Sequence, residues 1–282
     1  MMSLSNISEK IIENDEKSSY IDVVFVGDRS HSMVTQRFEP QKGITSFAKD
    51  QYELAKKGYN VYLTVYTFDN KIEIPYSGDA LKLNEDNYDI LYKSMIPRGS
   101  TSLYDAVIKA IDEQNERVNK LEKNNLKEIE NSKLKIIKIF IVLTDGIDNS
   151  STKTIIEMKN KINKHDAKCI FIGANFDAII VGTEFGFKKD ACLQMTPEPL
   201  YSKGAFNSLR QISIRSSLTN NLPAFTRLER QQSYSNDIKK LFSNNSNSDS
   251  DSNSDKDWGF IPSLSSNPRL TRQTSISTTF VN

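Results

Sequence analysis

Apolar residues in the first two thirds of this chain fall into short unbroken runs. Between the runs lie longer stretches in which apolar positions recur every three or four residues. The runs "YIDVVFVG" (20–27), "IIKIFIVLTDG" (136–146) and "AKCIFIGAN" (167–175) read as strands covered on both faces. "TSFAKDQYELAKKG" (45–58) has helical spacing and stops at Gly58, and "LYDAVIKAIDEQNERVNKL" (103–121) and "STKTIIEMKNKINKHD" (151–166) read as further helices. "NVYLTVYTFDNKIEIPYSG" (60–78) predicts a hairpin turning at Asp69-Asn70. A short helix (176–186), a last strand (191–196) and a closing helix (201–218) complete the series, and "EKNNLKEIENSKLK" (122–135) reads as a charged, solvated excursion. Strands alternating with helices predict an α/β fold, an open and mostly parallel sheet flanked by helices.

The pattern changes near residue 219. "FSNNSNSDSDSNSDKD" (242–257) is almost devoid of apolar residues and cannot offset the entropy of ordering. The expected organisation is an N-terminal extension (1–17), a domain (18–218) and a low-complexity, mostly disordered tail (219–282), with "DWGFIP" (257–262) as a possible docking element in it. Lys+Arg of 37 against Asp+Glu of 36 removes any global pull toward nucleic acid or membrane. The acidic N-terminus lacks the apolar core of a secretory signal, and no run is long enough to span a bilayer, so a soluble, cytoplasmic protein is expected. Cys169 and Cys192 show no framework spacing and read as reduced core thiols; a zinc site with His31 and His165 would need distant segments to meet.

Ligands of open α/β sheets bind where strands end and strand order reverses. Three polar loops are candidates to meet there: Asp28-Arg29-Ser30-His31-Ser32 after the first strand, "RGSTSLYDA" (98–106) before a helix, and "LTDGIDNSS" (143–151) after the most apolar strand. Their candidate ligands Asp28, Ser30, Ser32, Thr101 and Asp145 all offer oxygen, which suits a hard cation, Mg²⁺ or Mn²⁺, better than zinc or copper.

"DRSHSM", "GSTSLYDA" and "LTDGIDNSS" together resemble the metal-ion-dependent adhesion site (MIDAS) of von Willebrand factor type A domains, whose pattern is D-x-S-x-S, a distal Thr and a distal Asp in a T-D-G context. "IGANFDAIIVGTEFGF" and "AFNSLRQISIRSS" resemble the last strand and helices of microbial and viral members. The resemblance implies a Rossmann-like sheet over residues 18–218 with the metal at its C-terminal edge. It further implies that Ser30 and Ser32 bind the ion through hydroxyls, Thr101 directly or through water, and Asp28 and Asp145 mainly through water. Members often carry Gly where this chain has His31, which is expected to point to solvent. Neutral hydroxyls around a divalent ion leave room for an Asp or Glu from a protein partner, so the expected function is non-enzymatic, metal-dependent protein binding.

Two other readings compete. A Mg²⁺-dependent phosphohydrolase would begin from such a site, but Ser30 stands where the second acid of D-x-D belongs, and no nucleotide-binding loop is present. A metal-free scaffold would use the same residues as turns and helix caps. In the tail, "RLERQQSYS" (227–235) and "RLTRQTSIS" (269–277) repeat R-L-x-R-Q-x-S-x-S, and their L-x-R-x-x-S cores resemble basophilic kinase sites. Ser233 and Ser275 are therefore candidate phosphoacceptors, and the phosphorylated pair would suit a phosphoserine-binding protein.

Overall fold

The computed structural model describes residues 18–131, 134–146, 148–174, 177–196, 198–219, 221 and 223–233. The extension 1–17 and residues 234–282, with the acidic serine tract, "DWGFIP" and Ser275, lie outside the described residues.

Six strands, β1 (Ser18–Asp28), β2 (Asn60–Phe68), β3 (Ile72–Asp79), β4 (Leu134–Thr144), β5 (Lys168–Ala174) and β6 (Cys192–Met195), form one sheet in the order β3-β2-β1-β4-β5-β6. All neighbours are parallel except β2 and β3, the predicted hairpin. Helices α1 (Glu39–Lys56), α2 (Glu85–Ser94) and α7 (Pro199–Leu218) cover one face, and α3 (Leu103–Asn124), α5 (Ile155–Lys164) and α6 (Ala178–Phe185) cover the other. Alternation along β1 explains why both faces need cover. Ile21, Val23 and Phe25 enter the first layer, and Val24 and Val26 the second. Among the described residues, no helix is long and apolar enough to cross a membrane.

The structure extends the sequence reading in four places. Helix α1 starts at Glu39, six residues before the predicted 45, because Pro40 sits in its first turn, where a missing N–H costs nothing. Helix α2 was not anticipated; a reciprocal Asn84–Asn87 capping box starts it and Tyr88 and Leu91 anchor it. The charged excursion is partly helical, with α3 running to Asn124 and a short α4 (Leu126–Glu130) following. The fourth lies beyond the expected boundary at 219: Phe225 is buried in the core and α8 (Arg227–Ser233) packs on α7 and β6.

Strand β1 lies between β2 and β4, so the chain leaves it in one direction and returns on the other side. The C-terminal ends of β1 and β4 therefore flank the crevice of the topological switch point.

Candidate functional site

Asp28 is the last residue of β1, and Asp145 directly follows the last residue of β4, Thr144. The extended turn after β1 aims alternate side chains at one place. The Ser30 amide donates to Asp28 Oδ1 at 2.7 Å, the Ser30 and Ser32 hydroxyls lie 2.9 Å apart, and Ser32 donates to Asp145 Oδ1 at 2.7 Å. Thr101 comes from the second loop. Gly146 is bare where a Cβ would lie 3.5 Å from Ser32 Oγ and 3.8 Å from Thr101 Oγ1, so both hydroxyls face the same spot. The five predicted oxygen donors are thus gathered at one sheet edge. Asp28, Ser30, Thr101 and Asp145 are buried there, and Ser32 is exposed at the mouth.

The loops are fixed by contacts that the sequence does not announce. The Thr101 amide donates to Asn149 Oδ1 at 2.8 Å, and the Thr101 carbonyl accepts from the amides of Asn149 and Ser150 at 3.0 and 3.1 Å. The Asp148 carboxylate accepts from the Tyr104 and Ser151 amides, both at 3.1 Å. In return the Asp105 carboxylate accepts from the amides of Thr152 and Lys153, both at 2.8 Å. On the other side Arg98 donates to Asp69 Oδ2 at 2.6 Å and its amide to the Arg29 carbonyl at 2.7 Å. Hydrogen bonding from Arg29 comes first among the causes that hold Glu73 down at about pKa 2. The Arg29 guanidinium, one residue from Asp28, is thereby committed to Glu73 and Asp69.

Asp28 consequently keeps neutral donors. Besides the Ser30 amide, Thr144 Oγ1 donates to its Oδ2 at 2.6 Å. Burial pushes its carboxyl up to about pKa 6, against the pull of the Thr144 and Ser30 hydrogen bonds, and the Asp145 charge pushes the same way. A buried acid whose ionisation is further opposed by a neighbouring carboxylate is an acceptor for positive charge. Among the described residues no group of three His, Cys, Asp or Glu side chains could hold a metal ion, and the oxygen donors gathered here are two carboxylates and three hydroxyls. That donor set fits a hard divalent ion.

The other candidate residues lie apart from one another. His31 is exposed. His165 is buried at a helix end with Nε2 2.8 Å from Gln114 Oε1, and burial lowers it to about pKa 4. Cys169 and Cys192 are unpaired, and burial raises both thiols to about 12. Ser233 is not an open acceptor: it is fully buried, and its hydroxyl donates to the Arg230 carbonyl at 3.1 Å. Sequence reasoning passed over Thr144, Gly146, Asp148 and Asn149, although all four stand inside or beside the quoted T-D-G stretch; Asp69 and Arg98 carried no motif signal.

The family model described as von Willebrand factor type A domain matches residues 22–213. No curated protein matches the chain. Among solved structures, the pilus adhesin SpaC of Lactobacillus rhamnosus GG, in an open conformation, is 12% identical with a TM-score of 0.51, over 70% of this chain and 30% of that one. Proximal thread matrix protein 1 from the mussel byssus, solved with a zinc-occupied MIDAS motif, is 16% identical with a TM-score of 0.44, over 71% of this chain and 46% of its own. A von Willebrand factor type A protein from Catenulispora acidiphila is 16% identical with a TM-score of 0.42, over 70% of this chain and 43% of that one. This chain therefore spans less than half the length of each of these three structures.

Proposed function

The chain belongs to the von Willebrand factor type A domain family, and from that premise we propose that it is a protein-interaction module whose binding face is the C-terminal edge of β1 and β4. Asp28, Ser30, Ser32, Thr101 and Asp145 hold Mg²⁺ or Mn²⁺. Ser30 and Ser32 offer hydroxyl oxygens, Thr101 a third, directly or through water, and the two carboxylates act mainly through water and balance charge from behind. When bound, the ion supplies a Lewis-acidic position that an Asp or Glu of a partner protein completes. The observation that supports this most is Asp28: a buried acid with neutral donors, a second acid beside it and hydroxyls on the open side.

A non-catalytic role follows from the same residues. Ser30 occupies the place of the second acid that a phosphohydrolase would use, and its hydroxyl is engaged with Ser32. The unpaired cysteines, Cys192 buried and Cys169 half-buried, favour a reducing, intracellular setting. The test is affinity capture with the full chain in magnesium and in EDTA, paired with titration calorimetry of the metal alone. Partners retained in magnesium, released by EDTA and absent from Asp145→Ala bait are expected. Equal capture in both buffers, or no magnesium or manganese uptake at millimolar concentration, would sink the reading.

A further inference from the structure

Helix α8 has seven residues, too few to persist alone in water, so its contacts hold it in place. Glu229 is buried and receives both Arg215 terminal nitrogens at 2.6 and 2.9 Å. Arg230 donates to the carbonyls of Cys192 at 2.7 Å and Asp190 at 2.9 Å. Thr226 and Glu229 cap the helix reciprocally at 2.7 and 3.2 Å. The helix lies so close on α7 that a Cβ on Gly204 would fall 2.0 Å from the Gln232 carbonyl oxygen. Ser233, its last described residue, has 0% exposure, and its carbonyl accepts from the Thr196 amide at 3.2 Å.

This same helix carries the Leu228-x-Arg230-x-x-Ser233 sequence, and docking has tied down its two chemical determinants. The Arg230 guanidinium is turned onto the Cys192 and Asp190 carbonyls and the Ser233 hydroxyl is enclosed, while Leu228 stays exposed. We propose that Ser233 is a phosphorylation site gated by α8: a basophilic serine kinase modifies it only on the undocked helix, and the phosphate then keeps the helix off the domain. Transfer joins Ser233 Oγ to the γ-phosphorus of ATP, breaks the bond from that phosphorus to the β–γ bridging oxygen, releases ADP and gives the hydroxyl proton to the kinase base. The product places close to two negative charges on an oxygen that the docked helix encloses completely, and burying them there is costly. Release would bare the α7 surface around Gly204, Ser208 and Arg215.

The test uses the full chain, a basophilic kinase selective for Arg at position −3 with ATP, and site mapping by mass spectrometry. A synthetic peptide of residues 223–237 serves as the undocked reference. The peptide should be phosphorylated at Ser233 at least tenfold faster than the chain. Glu229→Ala, which loosens docking without touching Leu228, Arg230 or Ser233, should raise the rate on the chain at least fivefold. Phosphorylated chain should exchange amide hydrogens faster over 227–233 and along α7, with β1 and β4 unchanged. Should Glu229→Ala also loosen β1 and β4, Thr226→Ala, which removes only the cap, takes its place. Four outcomes would overturn the proposal: an unmodified peptide, equal rates on peptide and chain, no acceleration in the loosened variant, or phosphorylation with unchanged exchange. None of them touches magnesium uptake, so the metal reading stands or falls separately.

Discussion

Strand β1 carries two fully buried aspartates on one side, and they live in opposite circumstances. Asp22, near the start, accepts two hydrogen bonds from Arg117 at 2.8 and 2.7 Å and one from Gln114 at 2.8 Å; Gln114 in turn faces His165. Asp28, at the end, has the Ser30 amide and the Thr144 hydroxyl, with Asp145 as the charge acting on it. Burial alone therefore does not distinguish a structural acid from a working one. The difference lies in whether the fold brings its own cation, and at Asp28, among the described residues, it does not.

The contrast can be broken in several ways, beginning with the largest effect. Arg117→Met strands the Asp22 charge in the core and should cost about 3–5 kcal/mol in urea denaturation, with most of it recovered by adding Asp22→Asn. At the other end, magnesium at a hundred times its Kd should stabilise the wild type by about 2.7 kcal/mol. That gain should vanish in Asp28→Asn and Asp145→Asn and persist in His165→Gln; its survival in Asp28→Asn would remove the distinction between the two acids.

A third measurement uses pH. Burial first among its causes lowers His165 to about 4 from its ordinary 6.5, so on acidification the unfolded chain takes up this proton first. Its contribution is intact above pH 6.5 and falls by up to about 1.4 kcal/mol per unit between 6.5 and 4. Asp28 and Asp50, both raised to about 6 mainly by burial, act in the opposite sense. They are common to wild type and His165→Gln, so the difference between the two stability curves from pH 7 to 4.5 isolates the imidazole. The smallest effect is Asp28→Asn in EDTA. The amide can accept from the Ser30 amide and donate to Thr144 Oγ1, and stability should match the wild type or exceed it by about 1 kcal/mol.

Much of this was open to reading along the chain. Continuous apolar runs marked the inner strands because a strand covered on both faces has no polar side. Asp28, Ser30 and Ser32 were visible because an extended turn puts alternate residues on one target. What stayed hidden depends on contacts across loops. Thr144 looks like the end of a strand until its hydroxyl meets Asp28, and Asn149 looks like a turn residue until it accepts from Thr101. Helix α8 escaped for a related reason: seven residues with an exposed Leu228 have no helical stripe of their own, and contacts such as those to Arg215 and the Cys192 carbonyl hold them in place.

The sheet margins have a consequence for crowding. At one margin β3 interrupts its outer row of donors with Pro75; at the other, β6 is four residues long and Arg230 occupies the Cys192 carbonyl. Neither rim offers a long ladder on which a neighbouring chain could zip itself. Detaching α8 would uncover the Cys192 carbonyl and so unlatch one of these two rims.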